Sequence, residues 1–390
     1  MFLEKCFQKL VLNFTWWVNR KDLNGRNVFE GGFLGLDNVG AFDRTLTQPE
    51  GGSLIEQDST GWMGMFCLNM LQIALELAIE DPAYEDMATK FFEHFVYIAN
   101  AINDVTGLKE GLWDHENGFY YSLLIKSDGT RVRLRQDNMA AIVPLFAIAT
   151  NKAVVRERFP EFRKRFRWFM EKRPEMLTCI ASLDKLGKEG RLLLAFANED
   201  KLKRALAKIL DENQFLSPFG IRSVSKRHAQ EPFVIVLEGK EFCLDYEPAE
   251  SSTGLFGGNS NWRGPIWIPL NFLLIESMQK FDYYYGDAFT VECPKGSNNM
   301  MTLWDVSIEL TRRLISIFLK DENGRRPLYG NCMKFQTDPH FRDYIHFHEY
   351  FHGDNGFGLG ASNQTGWTAL IAKLINQYAQ FTKEAKTNVQ

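Results

Sequence analysis

The sequence is short of the patterns that mark several common classes of protein. It has only six cysteines in 390 residues, Cys6, Cys67, Cys179, Cys243, Cys293 and Cys332, with no CxxC pair among them. That scatter excludes a disulfide framework or a zinc ribbon as the organising device and suits free thiols in a reducing compartment. Long apolar runs are missing too, and Glu4, Lys5 and Lys9 interrupt the first residues, so neither a membrane span nor a signal peptide is expected. There is no excess of basic charge: 45 basic residues stand against 49 acidic ones, a net charge of −4. A nucleic-acid binder needs a basic surface to displace counterions, which this balance does not supply. The expectation is a cytoplasmic protein with no nucleic-acid or membrane partner.

Nucleotide and serine-nucleophile signatures are absent as well: no GxxxxGK[ST], no GxGxxG after a strand and no GxSxG elbow. His346, His348 and His352 fall at i, i+2 and i+6 in a loop without acid partners, so no metal and no cofactor are expected.

What the chain does have is aromatic residues, 14% of the total, with Phe 32, Tyr 12 and Trp 9. One basic run, residues 156–173, carries Phe159, Phe162, Phe166 and Phe169 at helical spacing, which reads as an amphipathic helix with a solvated basic face. Helical periodicity also covers 2–20, 59–80, 83–103, 138–150, 154–172, 198–210, 265–284, 302–319 and 365–380. The aromatic and β-branched residues around Asn117-Gly118 predict a β-hairpin within 111–125. With no alternation of strand and helix, the class is mainly α. Long irregular connections (21–58, 104–137, 173–197, 320–364) alternate with short ones, 211–264 being the chief exception, which would gather the long ones on one rim.

Two carboxylates stand out in those long connections. Glu349 lies in IHFHEYFHGDNGFGLG, among aromatic side chains and glycines, the setting in which a carboxylate is desolvated beside a sugar ring. Asp58 lies in IEQDSTGWMGMF, where it reads as the N-cap of a helix starting at Ser59 and, compatibly, as a general acid in a partly apolar pocket made by Gly51, Gly52 and Trp62. In residues 254–274, Trp262 and Trp267 offer faces for sugar rings, and Arg263 with Asn271 offers donors for hydroxyls; plugging of helix ends is the structural alternative. Trp113 and Asp114 either line the same rim or anchor the hairpin.

QDSTGWM around Asp58, LSPFGIRSVS from Leu216, GGNSNWRGPIWIPLN from Gly257 and HEYFHGDNGFGLGASNQTGW from His348 together resemble glycoside hydrolase family 63. The family includes processing α-glucosidase and mannosylglycerate hydrolase. The resemblance implies an (α/α)6 toroid of the six-hairpin type with small β-hairpins in its loops, acting on an oligosaccharide or small glycoside with inversion. It carries the general acid onto Asp58 and the general base onto Glu349. Sugar contacts would come from Asp37, Trp62, Trp113, Asp114, Trp262, Arg263, Trp267, Gln364 and Trp367. Inversion calls for two carboxyl groups facing each other at about 6.5–9.5 Å. Fewer helices are legible than the family's twelve, so the expectation is one catalytic domain over 1–390 with its first helices missing. The alternatives are an inactive carbohydrate-binding remnant, a mannosylglycerate or glucosylglycerate hydrolase, or a toroid isomerase or lyase.

Overall fold

Apolar residues recurring at helical spacing build the framework. The computed structural model describes residues 1–19, 25, 27–29, 36, 38–44, 52–105, 110–152, 158–173, 180, 185–254 and 260–387. Asp37, Gly51, Cys179, Gly257 and Gly258, with parts of the long connections, lie outside these residues. Ten α-helices stand among the described residues: α1 (Phe2–Val18), α2 (Gln57–Leu77), α3 (Tyr84–Asn103), α4 (Pro160–Lys172), α5 (Glu199–Ile209), α6 (Ile268–Tyr285), α7 (Leu303–Ser316), α8 (Met333–Thr337), α9 (Thr365–Thr368) and α10 (Leu370–Thr387). The fold is mostly helical with small sheets. No helix of the described residues is long and apolar enough to cross a membrane.

At the centre is α2, which packs against both α1 and α3. It is buried along most of its length, and Gly64 makes that possible: a Cβ there would fall 2.1 Å from the ring of Phe196. Asp81-Pro82 ends the α2 pattern, and α3 turns back to bury Phe91, Phe92 and Phe95. The basic run forms α4 as expected. Its Phe162, Phe166 and Phe169 are buried around Phe92, with ring centroids 5.8, 5.2 and 5.8 Å away, and its arginines stay outside. Further on, Asn198 caps α5 by accepting from the Lys201 N–H at 3.0 Å, and Thr302 caps α7 by accepting from the Asp305 N–H at 3.1 Å. Helix α6 packs against α7 and α10.

All strand pairs are antiparallel and short. Ser122–Ile125 lies between Ser53–Ile55 and Arg131–Leu134 in a three-stranded sheet, with Leu54 opposite Leu124. That sheet sits where the chain enters α2, and the Ser122 hydroxyl donates to Gln57 there. The predicted hairpin is present: Trp113–Asp114 pairs with Phe119–Tyr120, and Gly118 takes φ +65° in its turn.

Two elements differ from the sequence expectation. Residues 138–150 form no α-helix but two 3-10 turns, Met139–Ala141 and Val143–Phe146, followed by the strand Ile148–Lys152 paired with Arg191–Ala195. Pro144 withdraws a donor from the ladder and disfavours helix at Val143, and a partner strand some forty residues on, invisible to local periodicity, captures the rest. Helix α6 begins at Ile268, not at 265, with Pro269 in its first turn. Ile266 instead exchanges backbone hydrogen bonds with Phe351, at 2.7 and 3.0 Å. This pairing brings the segment before α6 alongside the segment carrying Glu349.

Since Phe92 anchors α4 to the core, Phe92→Ala should lower stability by about 3–5 kcal/mol, read as a reduced urea midpoint with the slope unchanged.

Candidate active site

Glu349 immediately precedes a hairpin made by Tyr350–Phe351 and Gly358–Leu359. Its N–H donates to the Ala361 carbonyl at 2.9 Å, and its Oε2 accepts from the Ala361 N–H at 3.2 Å, so the half-buried carboxylate is folded over the hairpin end. Gly360 makes room for it. Its φ is +65°, and a Cβ there would lie 2.6 Å from the Tyr350 ring and 2.8 Å from the Glu349 carboxylate. The strand before Glu349 is tied to the last helices: Gln364 N–H donates to Phe347 O at 2.6 Å, and the Thr368 hydroxyl donates to His348 O. Burial first, and then His346, holds the His348 imidazole below its usual range; burial does the same to His352.

A column of aromatic rings runs inward from this hairpin. Tyr350 stacks on Trp267 with centroids 4.8 Å apart, and Trp267 stacks on Trp262 at 3.7 Å and 6°. Trp367 leans against both, at 6.3 and 5.6 Å. Trp262 and Trp267 are 1% and 0% exposed, so they stack on each other and on Tyr350 with no open face; Trp367 is half-buried. The donors expected to meet sugar hydroxyls are also engaged. The Asn271 amide donates to Ile221 O and Trp267 O, and Arg263, 3% exposed, donates to Asn38 O and Gly40 O, both at 3.1 Å.

The last two bonds lead to the other acid. Residues 38–44 are pinned at one end, where Asn38 Oδ1 accepts from the Trp262 N–H at 2.7 Å. At the other end, Arg44 Nη1 donates to both oxygens of Asp58, at 2.8 and 3.0 Å, and lies 3.4 Å from Glu56. Asp58 and Glu56 are 0% and 1% exposed. Burial works to lower the pKa of the Arg44 guanidinium, but the charges of Asp58 and then Glu56 outweigh it and raise it. The N-cap expectation for Asp58 is therefore corrected. Glu56 holds the N-cap position of α2 without a side-chain cap bond, and Asp58 sits inside the first turn, its carboxylate on Arg44. An acid in that turn still complements the helix dipole. Of the apolar surroundings expected for Asp58, Gly52 packs on the Ile125 carbonyl instead, and the neighbour at hydrogen-bond distance is a guanidinium.

Trp62 lies one turn further along α2, half-buried and 5.7 Å from Phe146. It lines a cleft of about 280 Å³ with Asn13, Trp17, Ser59, Phe66 and Asn69, and its indole N–H is buried without a partner. Trp113 and Asp114 are placed elsewhere, on a separate cleft of about 480 Å³ with Glu110, Arg133 and Arg135. Asp114 anchors the hairpin turn: Oδ1 accepts from the N–H groups of Glu116 and Asn117 at 2.8 and 3.1 Å, and Oδ2 from Arg135 at 2.8 Å. Burial works against the charge of Asp114, but these bonds, led by that from Asn117, outweigh it and lower its pKa. Asp37 falls outside the described residues. Among the described residues no group of three or more His, Cys, Asp or Glu is arranged to hold a metal ion.

The structure thus joins Glu349, Trp262, Trp267, Trp367 and Arg263 to Asp58 through one bonded and stacked path, with Gln364 tied in behind Glu349. Asn38 and Arg44 complete that path, and the sequence reading did not single them out. The available signal was the charged and amide residues in LDNVGAFDR, set in a glycine-punctuated stretch without periodicity.

No family model matches the chain. It is 51% identical over 389 residues to an uncharacterised protein of Saccharomyces cerevisiae, covering 96% of this chain and 36% of that relative. The chain therefore spans about a third of that relative's length. A stretch of 182 residues, 46% of the chain, is 24% identical to the mannosyl-oligosaccharide glucosidase of Saccharomyces cerevisiae, of which it covers 16%. A probable mannosyl-oligosaccharide glucosidase of Schizosaccharomyces pombe is 25% identical over the same length, again with 16% of that protein covered. Among solved structures, a glycoside hydrolase family 63 mannosylglycerate hydrolase from Thermus thermophilus in complex with glucose superposes with a TM-score of 0.39 at 14% identity, covering 83% of this chain and 48% of that one.

Because Gly360 holds a left-handed conformation against the Glu349 carboxylate, Gly360→Ala should destabilise the protein by about 1–3 kcal/mol. Denaturant unfolding checks this; Gly366→Ala, at a helical glycine with open space around it, is the control and should leave the midpoint within about 0.5 kcal/mol.

Proposed function

We propose that this chain is the catalytic region of a glycoside hydrolase that cleaves α-linked sugars with inversion, built on an (α/α)6 toroid. Asp58 is the general acid and Glu349 the general base. The observation that carries the reading is the path from Glu349 through Tyr350, Trp267, Trp262 and Asn38 to Arg44 and Asp58. It connects two acids, 291 residues apart in the sequence, through the aromatic column and the chain segment 38–44. The likeness of nearly half the chain to two proteins named as mannosyl-oligosaccharide glucosidases supports the same chemistry.

In this mechanism one carboxylic acid protonates the leaving oxygen while a carboxylate across the ring draws a proton from the attacking water. Glu349, half-buried and accepting one backbone N–H, has lone pairs left for that water. Asp58 accepts from Arg44 Nη1 with both oxygens in the arrangement described, and must give up that contact to donate a proton. In the proposed cycle Arg44 lets go of Asp58, with Glu56 3.4 Å away as its other partner, and Asp58 takes from solvent the proton that it passes to the leaving oxygen.

A second reading, a binding-only remnant, is favoured by the same closed state: both stacked indoles are buried and the acid is clamped.

Hydrolysis of α-glucosides, α-mannosides and their glycerate glycosides, with the released anomer followed by NMR, tests the proposal. The expected product is the β anomer, with kcat lowered about 10²–10⁴-fold in Asp58→Asn and in Glu349→Gln, both confirmed as folded. Release of the α anomer, or activity indifferent to both substitutions, overturns the mechanism. No turnover of any substrate by the folded protein selects the binding-only reading.

A further inference from the structure

A cleft of about 490 Å³ opens at the other end of α6. Trp267 caps the start of that helix and Asp282 lies 15 residues on, so about 22 Å of helix separates the cleft from the aromatic column. Its lining includes Lys188, Arg191, Asp282, Tyr283, Trp304 and Asp305. None of these side chains takes part in the path between Asp58 and Glu349.

The walls are built firmly. The Tyr284 hydroxyl donates to Lys185 O at 2.8 Å, and Gly187 packs so closely that a Cβ would meet Tyr284 O at 2.3 Å. The turn bearing Lys188 is thereby fixed against the end of α6. Tyr283 is 44% exposed, and its ring lies 5.9 Å from that of Trp304 at an angle of 42°. Trp304 is braced from behind by the edge of Phe381, at 4.8 Å and 78°.

Asp282 is the informative residue. It is 8% exposed, lines the cleft, and accepts from the Trp304 N–H at 3.2 Å, which uses one of about four lone-pair positions of a carboxylate. Burial raises the pKa of its carboxyl above the usual range.

We propose that this cleft is a second binding site, for a short neutral saccharide. The charged side chains are already partnered, Lys188 with Asp287 at 4.0 Å, Arg191 with Glu189 at 3.4 Å and Asp305 with the Thr302 hydroxyl at 2.8 Å, so an organic ion would compete with an existing partner. A plain apolar ligand would cover the remaining lone pairs of the buried Asp282 carboxylate without replacing their hydrogen bonds. A pyranose answers the set: its C–H face lies along the outer edge of the Tyr283–Trp304 pair, where Arg191 lies 5.4 Å from the Tyr283 ring centre, its hydroxyls donate to Asp282 and Asp305, and they accept from Arg191 and Lys188. The volume falls within the usual range for a small-molecule site, about 300–1,000 Å³. The inference does not depend on the hydrolytic reading.

Maltotriose and mannotriose, titrated into the full chain and into its Glu349→Gln variant by calorimetry, are the probes. At least one should bind both proteins alike, and Trp304→Ala, Tyr283→Ala and Asp282→Asn should each weaken binding about tenfold or more. Tyr283→Ala alters an exposed ring and guards against a folding artefact. The proposal is overturned if neither sugar binds, if binding survives all three cleft substitutions, or if spermidine binds there while the sugars do not.

Discussion

Arg44 is the residue on which the rest of the site depends. Its guanidinium is buried with Asp58 and Glu56, and the segment that carries it is pinned by three hydrogen bonds, from the Trp262 N–H to Asn38 Oδ1 and from Arg263 to Asn38 O and Gly40 O. Taking such charges out of water costs several kcal/mol per ion, and pairing offsets that cost only when the geometry is good. Both oxygens of Asp58 lie within 3.0 Å of Nη1 alone, and Nη2 is buried without a partner, so that condition is met only in part. A buried ion pair of this kind is weak evidence for stability and better evidence that a particular arrangement is being selected. Here it fixes where an acid at the start of α2 lies relative to the segment before α6.

From that segment the constraint passes to Glu349. Ile266 pairs with Phe351, and Trp267 stacks on Tyr350, so backbone and side chain each join the residue after Glu349 to the start of α6. The aromatic column is interior in this state. Its part in any sugar site is to hold Trp367, Tyr350 and the hairpin in position, with the half-buried Trp367 at its outer end. The cleft at the other end of α6 shares the helix but none of these contacts, and its open aromatic pair contrasts with the closed column.

Periodicity carried most of the helices. Residues 59–80, 83–103 and the basic run were legible because their apolar faces meet neighbours within a few turns, as Phe92 shows with Phe162, Phe166 and Phe169. Residues 138–152 were not, because Pro144 broke the ladder and the strand partner at 191–195 lies beyond any local window. The site divides in the same way. Asp58 and Glu349 stood out by residue type and setting, but the cap role of Asp58 failed because a guanidinium 14 residues earlier, in an aperiodic stretch, claimed its carboxylate. Trp262 and Trp267 read as sugar platforms with plugging of helix ends as the alternative, since a sequence cannot distinguish an indole that stacks on a ligand from one that stacks on another indole. Asp114 resolved toward the hairpin because backbone N–H groups two and three residues on were its nearest donors.

The central claim is that Asp58 and Glu349 serve one site. A crystal structure of the chain with a non-hydrolysable, sulfur-linked α-glucoside bound tests it most directly. The account predicts the sugar between the two carboxyl groups, about 6.5–9.5 Å apart, with Arg44 displaced from Asp58. A ligand bound with Arg44 still on Asp58, or carboxyl groups opening onto different surfaces, would contradict it.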